Sequence, residues 1–125
     1  MATASIKEQI YQELSRVTHA ISNPKRIELI DVLSQKSHSV EELSKEISMS
    51  IASTSQHLQV LKLLKLVETK RQGNFIIYSI TDDSVLRLVS AVKELGFRKI
   101  AEVERLISDF KADKNILDAV VIIKE

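Results

Sequence analysis

The chain of 125 residues contains no cysteine, which excludes disulfide bonds, thiolate metal ligands and cysteine-based redox sensing. One proline and two glycines leave little material for the many tight turns of an all-β fold. No apolar run approaches the ~20 residues that span a bilayer, and the N-terminal segment lacks the hydrophobic region of a signal peptide. We therefore expect a mainly helical, cytoplasmic protein with no membrane partner.

The first half of the chain carries clear signals for three helices. Apolar side chains recur at helical spacing between Ile6 and Ile21 and predict a first amphipathic helix. Asn23 is a good N-cap and Pro24 suits the first position of a second helix. A capping box that begins at Ser39 predicts a third helix, which ends at about residue 47.

A fourth helix begins after Ser50, a favourable N-cap, and its short connection to the third helix makes a helix-turn-helix. At 100° per residue, the face predicted to pack inward carries Ile51, Thr54, Leu58 and Leu61. The opposite face carries Ala52, Ser53, Gln56 and Gln59, with Ser55 and His57 on its flanks. Small residues allow a helix to approach the major groove closely. There a glutamine can bind adenine, and a serine can form hydrogen bonds with either donor or acceptor groups of the bases.

A basic β-hairpin is predicted directly after this helix. Two β-like runs, residues 66–71 and 74–80, flank a turn in which Gly73 can adopt a positive φ. Residues 51–80 carry four basic side chains and one acidic side chain, a net charge of +3, whereas the whole chain is +1. A polar helix face beside a basic hairpin is typical of DNA-binding winged helices. The residues predicted to contact double-stranded DNA are Ser50, Ser53, Ser55, Gln56, His57, Gln59, Lys62, Lys70, Arg71 and Asn74.

A long final helix is predicted from about residue 81. Its apolar positions extend from Val85 to Phe110. This apolar seam is longer than a small domain needs to cover its own core. We expect a homodimer formed through the first and last helices, since a partner subunit would cover this apolar seam. The residues predicted in the interface are Ile6, Ile10, Leu14, Val92, Leu95, Ile100, Val103, Leu106 and Ile107.

The predicted order of elements is α-α-α-α-β-β-α, a mainly α winged helix-turn-helix with a small β-hairpin. Residues 1–110 are expected to form the DNA-binding and dimerisation domain, and residues 111–125 a C-terminal tail. The tail contains the apolar run Ala119–Ile123, which could be a strand or helix packed on the dimer. It could equally be the beginning of a further domain, and both interpretations stay open.

Four segments together resemble the ArsR/SmtB family of bacterial and archaeal winged-helix repressors over about residues 5–110. They are Ser22–Ile27, Ser39–Leu43, Ser55–Leu61 and Lys70–Gly73, the last of which is followed by Ile77 and Tyr78. The resemblance implies a homodimer that binds a palindromic operator and leaves it when an inducer binds. Lys65 stands where many members have the glycine that ends the recognition helix, and a lysine in the left-handed conformation is allowed but uncommon.

The sensing motifs of the family do not transfer to this chain. Many members of the family bind metals through cysteines in the third helix, and the matching positions here look like Ser39 and Glu41. Others bind metals through Asp and His pairs along the last helix, and residues 82–110 contain no histidine. Carboxylates alone are poor ligands for soft metals, so we predict no metal site and no cofactor. The inducer stays open: a small molecule between the dimer helices, a metal at an unrecognised N/O site, or none. An engineered cysteine-less variant is a further interpretation.

Two other classes of function fit the sequence less well than DNA binding. No Gly-rich phosphate loop or nucleophile elbow is present, and Ser55 and His57 lie roughly 200° apart around the helix, so we predict no enzyme activity. The alternative is a winged-helix protein-interaction module that docks through its C-terminal apolar run. It predicts DNA affinity no better than that of a generic basic surface, and the absence of acidic residues between Ser50 and Val67 argues against it.

Overall fold

The structure, a computed structural model, describes residues 5–112. It confirms the predicted mainly helical winged helix-turn-helix and adds one strand. In chain order the elements are α1 (Ile6–Ala20), α2 (Pro24–Gln35), β1 (His38–Ser39), α3 (Val40–Glu46), α4 (Ile51–Leu63), β2 (Val67–Gln72), β3 (Phe75–Ile80) and α5 (Asp83–Ala112). The predicted domain boundary at residue 110 stays a prediction. The apolar run predicted in the tail lies outside the described residues.

The helices begin at the polar caps that the sequence predicts. The Asn23 side chain accepts hydrogen bonds from the backbone N–H groups of Lys25 and Arg26, at 2.9 and 3.2 Å. Ser39 and Glu42 form the complete capping box of α3, with each side chain bonded to the other residue's backbone N–H. The hydrogen bond from the Ser39 backbone holds the pKa of Glu42 below its ordinary value. Each cap satisfies backbone donors that the first turn of a helix leaves unpaired.

The chain divides into two compact units, one that ends at Val89 and one that begins at Ser90. The core of the first unit lies where α2, α3 and α4 meet the sheet. Leucines from all three helices are completely buried there, and burial of a large apolar side chain contributes roughly 1.5–3 kcal/mol. The buried apolar residues of the three helices and the sheet are Leu29, Ile30, Leu33, Leu43, Leu58, Leu61, Val67 and Tyr78.

The strands form one antiparallel sheet in the order β1-β3-β2. The hairpin of β2 and β3 confirms the prediction, and the two strands pair along their whole length. The strand β1 was not predicted: His38 pairs with Tyr78, and Ser39 pairs with Ile77. Two residues are too few to show the alternation that marks a strand, and the partner of β1 lies far along the chain.

A tight turn joins α3 to α4. Ile47 is the C-cap of α3, Ser48 adopts a positive φ of 54°, and the Met49 N–H donates a 3.0 Å hydrogen bond to the Ser44 carbonyl. The Lys25 ammonium donates to the Ile47 carbonyl at 2.5 Å, so a side chain of α2 also holds the end of α3. This turn fixes the direction in which α4 leaves the core.

The second unit, within the described residues, is the part of α5 from Ser90 to Ala112. Most of its large apolar side chains are more than half exposed, among them Leu95, Phe97, Ile100, Val103 and Leu106. Leu95, Ile100, Val103 and Leu106 lie within about 140° of one another around the helix. Such an exposed apolar face is a common sign of an interface. No helix within residues 5–112 is both long enough and apolar enough to cross a membrane.

Candidate nucleic-acid interface

The first turn of α4 is held by two side chains with different burial. The Ser50 hydroxyl accepts a 3.1 Å hydrogen bond from the Ser53 N–H, which caps the helix. The Thr54 hydroxyl donates to the Ser50 carbonyl at 2.8 Å, and Thr54 itself is completely buried. Thr54 therefore anchors the inner side of the helix, while the capped N-terminus remains open to solvent.

The outward face of α4 is polar and accessible. Gln56, Gln59 and Lys62 are exposed, whereas Ser53 and Ser55 are half-buried. Leu58 and Leu61 are completely buried on the opposite face, as predicted. The glutamine amides therefore have the exposure that contact with base edges requires. Their role in DNA binding stays a prediction.

Ile51 was predicted to lie on the inward face of α4, and this prediction is wrong. This side chain is 51% exposed. Ile51 is the first residue of the helix and lies ahead of Thr54, at which α4 enters the core. Leu63, at the other end of α4, is 81% exposed. Exposed apolar side chains therefore occur at both ends of α4.

His57 contacts Arg26, and helical spacing in the sequence does not predict this contact. Its Nδ1 lies 3.4 Å from a terminal nitrogen of the Arg26 guanidinium on α2. The Arg26 Nε donates to the Ala20 carbonyl at 2.5 Å, and the other terminal nitrogen donates to the His19 carbonyl at 3.3 Å. Burial, and secondly the charge of Arg26, lower the pKa of His57 from 6.5. Both effects favour the neutral form of the ring.

The hairpin of β2 and β3 presents its basic residues at an exposed tip. Gly73 in the turn has a φ of 61°, which glycine adopts at little cost. The Arg71 Nε donates to the Gly73 carbonyl at 3.3 Å, and Lys70, Arg71 and Asn74 are all exposed. Because Lys70 and Arg71 are consecutive in β2, their side chains leave opposite faces of the hairpin. This hairpin, the wing of the winged helix, can therefore present cations on both of its faces.

The residues predicted at a dimer interface include three exposed large apolar side chains of α1. Ile6 is 77% exposed, and Ile10 and Leu14 are 54% and 55% exposed. In α5, Val92 and Ile107 are half-buried, and the other predicted residues are more than half exposed. The assignment to an interface stays a prediction, and the exposure of these side chains is what it requires.

No three His, Asp or Glu side chains within residues 5–112 come close enough to hold a metal ion together. Ser39 and Glu41 border an open depression of about 290 Å³ between α3 and the sheet. Phe75 and Ile77 are the apolar residues that line it. The depression is at the small end of the range for ligand pockets, roughly 300–1,000 Å³.

Known proteins share this arrangement. The family model described as "Bacterial regulatory protein, arsR family" matches residues 23–69, which contain α2, α3, α4 and the beginning of β2. The chain is 32% identical to the biofilm growth-associated repressor of Xylella fastidiosa over 85 residues. These residues are 68% of this chain and 75% of that protein. A solution structure of a homodimeric winged helix-turn-helix DNA-binding domain from Mycobacterium bovis matches with a TM-score of 0.69 and 32% identity, over 77% of this chain and 90% of that chain.

A longer relative is the HTH-type transcriptional regulator Rv0324 of Mycobacterium tuberculosis. It is 30% identical over 103 residues, which are 82% of this chain and 46% of that protein. The chain therefore spans about half the length of this relative.

Proposed function

This chain belongs to the arsR family of bacterial regulatory proteins, and we propose that it is a homodimeric, sequence-specific DNA-binding repressor of transcription. Its place of action is the cytoplasm, and an inducer of unidentified chemistry releases it from its operator. One observation carries this proposal: α4 presents an exposed face of glutamine and small residues immediately before a wing with exposed cations.

The exposed face of α4 supplies the base contacts in this proposal. A glutamine amide can donate to and accept from an adenine edge at once, and such bidentate pairs discriminate by about 1–3 kcal/mol. Gln56 and Gln59 take this role, and Ser53 lies close enough to the helix start to contact a further base. Because Thr54 and Leu58 lock the opposite side into the core, the amides are held on a rigid element.

The remaining predicted residues bind the DNA backbone. Lys62, Lys70 and Arg71 supply positive charge, and each cation that neutralises a phosphate releases condensed counterions. The hydroxyls of Ser50 and Ser55, His57 and the Asn74 amide supply neutral hydrogen bonds to phosphate. Backbone contacts of this kind fix orientation and register but carry no sequence information directly.

A second subunit completes the DNA-binding surface. The exposed apolar side chains of α1 and α5 form the interface of a two-fold dimer in this proposal. The two α4 helices then enter successive major grooves about 34 Å apart, so the operator is a palindrome. Neither subunit alone would span both half-sites.

Titration of the purified protein against genomic DNA fragments across a salt series tests the function. The fragments include the region upstream of its own gene, and random DNA of equal length is the control. We expect one or more fragments to bind with nanomolar affinity and a preference of at least ~10³ over random DNA. Uniform, weak binding with only a salt dependence would overturn the proposal and favour the protein-interaction module.

A further inference from the structure

Arg26 joins three elements of the first unit at the flank of the proposed DNA-binding surface. It lies near the start of α2, contacts the carbonyls of His19 and Ala20 at the end of α1, and contacts the His57 ring on α4. All three guanidinium nitrogens therefore have a partner within the protein. These contacts fix the orientation of the guanidinium beside a predicted DNA-contacting residue, and two of its five N–H groups stay without a partner among them.

The chemistry of the contact decides which nitrogen of His57 carries the proton. A guanidinium is always protonated and only donates hydrogen bonds. The Nδ1 of His57, which faces Arg26, must therefore be the acceptor, and the proton of the neutral ring is on Nε2. The Nε2–H is the remaining donor, on the side of the ring away from the guanidinium.

We propose that Arg26 is a positioning residue for DNA binding, which holds the His57 ring so that its Nε2–H donates to a DNA phosphate oxygen. This inference rests on the proposed function. A phosphate oxygen is the expected acceptor because His57 lies on the flank of the exposed face rather than at its centre. Since Arg26 also holds the end of α1, the same guanidinium connects a proposed dimer helix to the DNA-binding helix.

Nitrogen NMR of the three histidine side chains tests the first step without DNA. His38 provides an internal control, because its Nδ1 lies 2.7 Å from the Lys36 carbonyl, which can only accept. We expect His38 to carry its proton on Nδ1 and His57 to carry its proton on Nε2, in the same spectrum. A proton on Nδ1 of neutral His57 would overturn the inference.

Substitutions at His57 test the second step, because two amides imitate the two ring nitrogens. The amide nitrogen of glutamine lies near the position of Nε2, and that of asparagine lies near the position of Nδ1. We expect His57→Gln, which keeps the donor but loses the contact with Arg26, to weaken operator binding less than His57→Asn, which loses the donor and should weaken binding by about tenfold or more, the typical effect of one hydrogen bond to a charged group. Equal losses for both variants would overturn the inference.

A double-mutant cycle tests whether Arg26 acts through His57. Arg26→Met removes the donor and keeps a comparable stem, and Arg16→Met, at an exposed arginine of α1, is the matched control. We expect Arg26→Met to weaken operator binding about tenfold in the wild-type background and less than about twofold in the His57→Asn background. Equal effects in both backgrounds, with a reduced salt dependence, would mean that Arg26 binds phosphate itself and would overturn the inference.

The outcomes separate this inference from the proposed function. Specific operator binding with no coupling between Arg26 and His57 would overturn the inference and leave the function standing. Absence of specific binding by the wild-type protein would overturn both. If Arg26→Met fails to fold, the comparison of His57→Gln with His57→Asn and the NMR spectrum of the wild-type protein still decide.

Discussion

The hydroxyl of Thr81 donates a 2.8 Å hydrogen bond to the backbone carbonyl of Lys65. The Thr81 N–H also donates to the Leu66 carbonyl, at 3.2 Å. These bonds join the corner between α4 and β2 to the corner between β3 and α5. Lys65 lies in the left-handed region with a φ of 61°, a conformation that glycine adopts at little cost and other residues rarely adopt. The Thr81 bonds stabilise a conformation that a lysine side chain disfavours by about 1–2 kcal/mol.

Replacing Lys65 with glycine should increase the free energy of unfolding. The substitution removes the steric cost of the left-handed conformation, and the greater freedom of glycine in the unfolded chain offsets part of the gain. We expect a net increase of up to about 1 kcal/mol by urea denaturation. The matched control, Lys62→Gly within α4, should decrease stability by about 1 kcal/mol. A decrease for both variants would show that the Lys65 conformation carries little strain.

Replacing Gln56 with alanine should weaken binding to the operator selectively. The loss of a bidentate base contact should cost about 1–3 kcal/mol on the operator and almost nothing on random DNA. Fluorescence anisotropy with both DNAs measures the difference. Gln35→Ala, at the exposed end of α2, is the control and should bind like wild type. An equal loss on both DNAs would defeat the assignment of Gln56 as a base contact.

Replacing Arg71 with alanine should weaken binding to every DNA sequence. A phosphate contact carries no sequence information, and its loss should reduce the slope of log affinity against log salt by about one unit per subunit. The salt dependence of binding to operator and random DNA measures this. Arg16→Ala removes an exposed arginine from α1 and serves as the control. An unchanged slope for Arg71→Ala would place the wing away from the DNA.

Replacing Ile100 with glutamate should dissociate the dimer. Ile100 is 54% exposed in the subunit, and its burial by a partner would contribute roughly 1.5–3 kcal/mol. Because a two-fold interface contains the residue twice, we expect the dimer dissociation constant to increase about a hundredfold or more. Analytical ultracentrifugation measures the constant. Lys99→Glu introduces the same side chain at the neighbouring exposed position, and an equal effect of both variants would argue against Ile100 in the interface.

The lowered pKa of His57 predicts a pH dependence of stability. The unfolded chain binds the proton near pH 6.5 and the folded protein at a lower pH, so stability should decrease as the pH falls through 6.5. The decrease should stop once the pH is below the pKa of the folded protein. The difference in unfolding free energy between wild type and His57→Gln, measured from about pH 8 to about pH 5, isolates this residue. A constant difference would mean that the pKa of His57 is the same in both states.

The sequence by itself determined where the helices begin and which side of α4 is polar. Asn23, Ser39 and Ser50 cap the helices as predicted, because a cap depends on residues within one turn of it. The hairpin turn at Gly73 is equally local. Leu58 and Leu61 are buried because helical spacing puts them on one face.

The tertiary structure decided the features that join distant parts of the chain. The strand β1 exists because His38 and Ser39 meet β3, and the contact of Arg26 with His57 exists because α2 and α4 pack together. The exposure of Ile51 depends on where α4 enters the core, which helical periodicity does not specify. Local preferences act over about one turn of helix, whereas these features depend on packing between elements that are remote in sequence.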